Sequence, residues 1–432
     1  SKNYAGSMEL GNKFLYPNST LFQNLFPDGA TKYSRRLSNW QTVVPFVDFD
    51  YDTVYTLSAT PTKDGVTGKT VTSEPFLIYK VKQFDTLTKI ANYYGVDYDQ
   101  LARDNRVVDR LLVENNTLFI RNPKTAEPYN PSDLSDEDKT LIDTMLMGRG
   151  LHCEFGFEPI NLNTGNFYLA AQDAAVTDLG GQFSLSRTYN SVGASIHSMF
   201  GRGWSFEYDE ALSQLADGSI AYRRGDGSIL PFTPDGYGLS LSRIKTGEVT
   251  EDFGTEEDPD VQTFDVFEYE ITSRDGTVRR FNSWGLLASI TDINGFTTAL
   301  SYDAAYNLTG VTTPSGKTFA IALNENGMIG SVTLPDGGLV RYAYDDAGNL
   351  VSYFDALGNE TKYIYDAAHR MTSWVDANGT AMVVNVYDEK GRVVEQTDGN
   401  GGVSKLAYED GKTIATDAAG NITVYHYDGQ YR

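Results

Sequence analysis

Sulfur chemistry is almost missing from this chain: of 432 residues, one is cysteine, Cys153. A single thiol closes no intrachain disulfide and builds no cysteine-based zinc site, and it leaves the redox compartment open. Histidine is scarce as well, at positions 152, 197, 369 and 426. His152 adjoins Cys153, but neighbouring residues of a strand point to opposite faces, which works against a thiol-imidazole pair. No stretch approaches the ~18 consecutive apolar residues of a membrane helix, and the opening SKNYAGSMELGN carries no hydrophobic signal region. Positive charge is in deficit: 35 Lys and Arg face 58 Asp and Glu, for a formal net charge of -23. Phosphate surfaces would be repelled, so neither nucleic acid nor membrane insertion is expected. His-Glu-x-x-His, Gly-x-Ser-x-Gly and a phosphate-cradling loop before a lysine are all absent. The expectation is a chain with no catalytic residues, no cofactor and no metal.

What is abundant is aromatic and turn chemistry, with 28 Tyr, 22 Phe and 41 Gly. Such a balance favours strands and tight turns. The length exceeds one ordinary core, so several modules are expected. Read backwards from the end, aromatic-acid pairs fall at Tyr427-Asp428, Tyr408-Glu409, Tyr387-Asp388, Tyr365-Asp366, Tyr344-Asp345 and Tyr302-Asp303. Their spacings are 19, 21, 22, 21 and 42, and the doubled gap holds Leu323-Asn324 at its midpoint. One more step reaches Phe281-Asn282. Fourteen residues after each aromatic stands a glycine: Gly295, Gly316, Gly337, Gly358, Gly379 and Gly401. A second turn position follows the aromatic by four, at Gly285, Gly327, Gly348 and Gly391, with an apolar residue two places later. His369 occupies one of these glycine slots.

Two turn signals and two short apolar runs per ~21 residues describe one β-hairpin per repeat. A lone hairpin is barely stable, so neighbours are expected to pair edge to edge into one sheet. The tyrosines then serve as scaffold on one face, and each adjacent aspartate bonds to backbone in the following turn. A regular array gives its carboxylates equivalent environments, whereas acid-base catalysis needs two different ones.

Upstream, the stretch IYKVKQFDTLTKIANYYGVDYDQLARDN changes from strand to helix period. Leu87, Ile90, Ala91 and Tyr94 line one helical face, Gly95 stops the helix, a second helix fits Tyr98 to Asp104, and LLVENNTLFI closes a β-α-α-β unit. This run, through Tyr79, Val81, Asp85, Thr86, Leu87, Gly95, Leu101 and Asn105, resembles a LysM domain, a family of small modules that bind N-acetylglucosamine-containing glycans such as peptidoglycan and chitin. The resemblance implies a shallow groove with Phe84, Asp85 and Thr86 on one side and Asn105, Val107 and Leu111 on the other. The sequence departs from the family where Gln83-Phe84 replaces the first Pro-Gly and Glu114-Asn115-Asn116 replaces the second. Capping of the first helix by Asp85 or Thr86 and a spacer role for the module remain open beside glycan binding.

From Glu158 on, Pro159-Ile160-Asn161 with Thr164-Gly165-Asn166, then Arg187-Thr188-Tyr189-Asn190, then Gly201-Arg202-Gly203-Trp204 occur in order. This succession, followed by the tyrosine-aspartate (YD) repeat, resembles the opening of Rhs/YD-repeat proteins, a family of polymorphic toxins and wall-associated proteins. It implies a spiralling β-sheet that closes into a hollow shell around a C-terminal toxin. The last residues, YHYDGQYR, fall inside a repeat, so the chain reads as a piece of a longer polypeptide.

The expected class is mainly β: a YD-repeat hairpin array forming a curved, spiralling shell sheet, with a small LysM-like module and an N-terminal β module. The expected divisions are 1-75, a β module of unassigned role; 76-122, the LysM-like module; 123-150, a linker with a short helix capped at Ser135; 151-280, an opening β segment of Rhs type; and 281-432, the repeats. Within the fourth, the acidic EVTEDFGTEEDPDVQ reads as an exposed loop. The expected partners are the remainder of the same polypeptide, including a toxin, and a peptidoglycan- or chitin-type glycan. The expected location is outside the cell or at its surface. The alternative is a wall-associated, glycan-binding adhesion protein whose repeats form a stalk.

Overall fold

A computed structural model describes residues 51-56, 74-108, 110-127, 129, 159-230, 232, 239-253, 259-304 and 306-427, together with the backbone of short strands within 2-9 and 58-72 and of 155, 156 and 231. His152, Cys153, Asp428 and the helix expected over 132-147 lie outside the described residues. The chain divides into two compact units.

The first unit comprises Ser1–Tyr129, Ser213–Ser219 and Lys245–Val266. Its centre is a three-stranded sheet of β1 (Val54–Tyr55), β2 (Phe76–Lys80) and β3 (Thr117–Arg121), with β2 in the middle. An apolar FLIYK run suits a strand buried on both faces, and Leu77, Ile78 and Tyr79 are wholly buried. The third strand, β1, comes from upstream of the β-α-α-β unit read in the sequence, drawn in by packing of Tyr55 on Phe76. Helix α1 (Leu87–Tyr94) starts at Thr86, whose hydroxyl accepts from Lys89 N at 3.2 Å, and ends at Gly95 at φ 61°. Helix α2 (Tyr98–Asn105) starts at Asp97, whose carboxylate accepts from Gln100 N, and ends at Arg106 at φ 54°. Leu87, Ile90, Ala91, Tyr94 and Leu101 face the sheet.

Of the acidic stretch expected to be a loop, 248-252 and 261-262 are strand, while 254-258 lie outside the described residues. Leu239–Asp252 and Val261–Ser273 are neighbours in a sheet, and the Thr250 and Thr263 hydroxyls meet at 2.9 Å. Val249 and Thr250 sit between Glu248 and Glu251 in the first of these strands, and Glu248 and Asp252 are exposed.

The second unit comprises Asn130–Leu212, Ile220–Ile244 and Phe267–Arg432. Its repeats belong to an antiparallel sheet of 17 strands in which every strand neighbours the next in sequence. Strands such as Thr318–Leu323 and Leu339–Tyr344 alternate buried and exposed, which places Phe319, Ile321, Val340 and Tyr342 on one covered face. That face carries the opening segment: β4 (Tyr168–Asp178), β5 (Gly181–Asn190) and β6 (Trp204–Phe206), which form their own three-stranded sheet.

Candidate functional site

Each repeat is held by two recurring devices. Asp345 Oδ1 accepts from Ala347 N at 3.0 Å and Asn349 N at 2.8 Å, while Gly348 N donates to Asp345 O. Asp303, Asp366 and Asp388 accept in the same way from the amide four residues on. The turn needs positive φ at its fourth position, and Gly295, Gly316, Gly337, Gly358, Gly379 and Gly401 meet that need in the other turn of each hairpin, at 83° to 91°. Where the slot lacks glycine the chain still takes this conformation, at Tyr306 (φ 60°) and His369 (φ 63°).

The tyrosine explains the period. Tyr302 donates to Leu287 O at 2.7 Å, Tyr344 to Ile329 O at 2.8 Å, Tyr365 to Leu350 O at 2.8 Å, Tyr387 to Met371 O at 2.7 Å and Tyr408 to Val393 O at 2.6 Å. The ladder between Leu287–Thr291 and Thr297–Tyr302 stops at Ser289 and Ala299, so the phenol completes a carbonyl that the strands leave. Burial pushes these hydroxyls far above the ordinary phenol value, and they act as neutral donors. Tyr427 differs: its hydroxyl meets Thr413 Oγ1 at 3.0 Å.

The same acceptor residues are bound on their other side by the opening segment. Leu287 N donates to Glu210 O at 3.3 Å, Ile329 N to Met199 O at 2.7 Å, Met371 N to Tyr189 Oη at 2.8 Å and Val393 N to Gly165 O at 3.0 Å. All four stand beside a β-bulge in their own strand, where the register shifts by one residue, and all are wholly buried. Each sequence landmark therefore docks on a repeat. A Cβ at Gly165 would lie 2.4 Å from Arg392 Cβ, and one at Gly201 would lie 2.5 Å from Gly348 O. Arg202 Nε donates to Ala347 O, and Trp204 Nε1 donates to Tyr365 Oη.

At the middle of this face Arg187 is buried. It pairs with Asp173 through Nε to Oδ2 at 2.7 Å and Nη2 to Oδ1 at 3.0 Å, and Nη2 also donates to Tyr363 Oη at 2.7 Å. Trp204, Tyr353 and Tyr363 present their rings to the guanidinium at 4.3 to 5.2 Å. Asp173 points inward because it is the extra residue of a bulge in β4, and its carbonyl accepts from Tyr353 Oη. Burial is the largest influence and would lower the arginine pKa; the Asp173 carboxylate together with Tyr363 and Tyr342 outweighs it and keeps Arg187 charged. The arrangement is a buried ion pair surrounded by aromatic rings.

The groove residues in the first unit are placed as follows. Asp85 is turned inward, accepting from Tyr79 Oη at 2.6 Å and Lys82 N at 2.7 Å; burial pushes its carboxyl up to about 6, against the pull of both bonds. Thr86 caps α1. Asn105 bridges α2 to β3, donating to Leu101 O and Phe119 O and accepting from Phe119 N. Val107 and Leu111 are buried. Phe84, at φ 61°, donates through its amide to Ser213 Oγ at 3.1 Å. Sequence reading missed Ser213, Asp173 and the amide partners of the repeats. Only the amide positions had a signal, the apolar residue two places after the turn glycine.

Comparison with known families matches three parts of the chain. The LysM domain family covers residues 79–121, the Domain of unknown function (DUF6531) family covers 157–232, and the RHS Repeat family covers 281–318 and 344–381. The chain therefore carries RHS repeats and a LysM domain. No curated protein matches it. Among solved structures, TcdB2-TccC3 without its hypervariable C-terminal region is similar over 62% of this chain and 15% of that chain, at 12% identity and a TM-score of 0.27. TcdB2-TccC3-TEV is similar over 94% and 21%, at 10% identity and 0.27. The Photorhabdus luminescens Tc holotoxin pore is similar over 86% and 18%, at 11% identity and 0.23. The chain thus spans about a fifth or less of the chains it matches in these three structures.

Proposed function

We propose that this chain is wall: a non-catalytic stretch of an encapsulating shell, secreted or held at the cell surface, that encloses a toxin carried by the same polypeptide. One observation carries the reading. Four hairpins, at Leu287, Ile329, Met371 and Val393, are completed both by the next repeat's tyrosine and by the opening segment, which supports a sheet extended by adding repeats. The buried charges and phenols are used up in this scaffold. The test is protease protection in the complete polypeptide. The segment following residue 432 should resist thermolysin while the wall is folded and be digested once urea unfolds it; equal digestion in both states would contradict enclosure.

A tether to N-acetylglucosamine-containing glycan belongs to the same reading, favoured by the LysM match. The alternative, a wall-associated adhesion protein whose repeats form a stalk, rests on that match too. It predicts retention on chitin or peptidoglycan with no protected cargo.

A further inference from the structure

The groove of the LysM domain is filled by the chain itself. Its walls are the turn at Phe84 and the loop at 111-116, and between them runs the end of the strand Ala211–Gln214. Glu114 N donates to Gln214 O at 2.9 Å, Val113 bridges Gln214 in parallel register, and Phe84 N donates to the buried Ser213 Oγ. Beyond Gln214 the chain turns back at once, with Leu215 N bonded to Ser219 O and Gly218 N to Leu215 O.

A second segment grips the same domain through the paired strand ends at 245-253 and 259-266. Arg106 pairs with Asp260 at 2.8 Å and lies over the Phe253 ring at 5.5 Å, and Arg110 lies over the Phe264 ring at 5.9 Å. Phe253 and Phe264 meet edge to face at 5.9 Å. Both arginines sit in the loop that leads to the groove's second wall.

From these contacts we infer that the groove is a docking site for an extended peptide strand, occupied by Ser213–Gln214, and that the strand ends carrying Phe253, Asp260 and Phe264 lock it shut. A strand suits the site because the wall at Val113 and Glu114 pairs with Gln214 as a ladder. The Phe84 and Glu114 amides are donors of the kind an acetamido oxygen accepts, and both are taken. A glycan therefore reaches the groove only in the fraction of molecules whose latch is open, and apparent affinity falls by that fraction. For its probe ligand the inference rests on the proposed glycan tether; for the latch itself it does not.

The test compares the full chain with an Arg106→Gly, Arg110→Ala, Ser213→Ala variant. Glycine suits the left-handed position of residue 106, so this change keeps the end of α2. Hydrogen exchange at the Phe84 and Glu114 amides should be protected in the wild type and at least tenfold faster in the variant, with Leu77–Tyr79 unchanged. Titration with the N-acetylglucosamine tetramer should show at least tenfold tighter binding by the variant. Unprotected Phe84 and Glu114 amides in the wild type, or equal binding of the tetramer by both proteins, would overturn the latch. Released amides with no binding by either protein would uphold the latch and remove the glycan tether.

Discussion

Arg187 and Asp173 face each other at 2.7 Å with side chains only 1% and 2% exposed, one from a regular strand and one from a bulge in the strand beside it. A buried pair of this kind is costly to break, because the surviving charge has no solvent to turn to. Asp173→Ala should therefore destabilise the second unit by about 3 to 5 kcal/mol. The double change Arg187→Met with Asp173→Ala should cost less than that single change. Urea unfolding followed by tryptophan fluorescence checks both, since Trp204 lies on the guanidinium.

The repeat tyrosines differ in what their hydroxyls serve. Tyr344→Phe orphans the Ile329 carbonyl and should cost about 1 to 2 kcal/mol. Tyr365→Phe also strands the Trp204 indole N–H and should cost roughly twice as much. Chemical denaturation of the two variants should separate them; equal losses would show that the indole bond contributes nothing.

Two glycines at similar positive φ predict unequal outcomes. At Gly337 an added Cβ meets open space, so Gly337→Ala carries backbone strain alone, about 1 to 2 kcal/mol. At Gly165 it would also stand 2.9 Å from the Arg392 Cα, so Gly165→Ala must displace the contact between the opening segment and the repeat. It should cost more than 4 kcal/mol, the range reserved for such clashes. Thermal unfolding compares the two.

The LysM domain should be more stable in mild acid than at neutrality. Burial raises the Asp85 carboxyl to about 6 from an ordinary value of 3.8. Its contribution is fully present below 3.8, falls as the unfolded chain ionises, and is gone above 6. Between pH 7 and pH 4 the domain should gain about 2 kcal/mol, read from hydrogen exchange corrected for intrinsic rates. Asp85→Asn should flatten this dependence. A wild-type domain equally stable at both values would contradict the buried placement of the carboxyl.

The repeat was legible because its chemistry is local. An aspartate or asparagine, a glycine three residues later and an apolar residue two further on define a turn and the start of a strand, and Leu287, Ile329, Leu350 and Val393 follow from that spacing. The partners of those positions were not legible. Tyr189 binds Met371 across 182 residues, and Ser213 meets Phe84 across 129, separations at which a single sequence carries no pairing signal. The inward turn of Asp173 depends on one inserted residue in β4, which alternation alone does not mark. Charge misled once: the acids of 248-252 suggested a loop, while the Val and Thr between them form a strand.

The most direct test of the wall is an electron cryomicroscopy structure of the complete polypeptide. It should show a further strand paired onto Ile422–His426 in the register of the preceding hairpins, and density enclosed by the continued sheet. An array that ends at this edge, or a continued sheet with nothing inside it, would contradict the account.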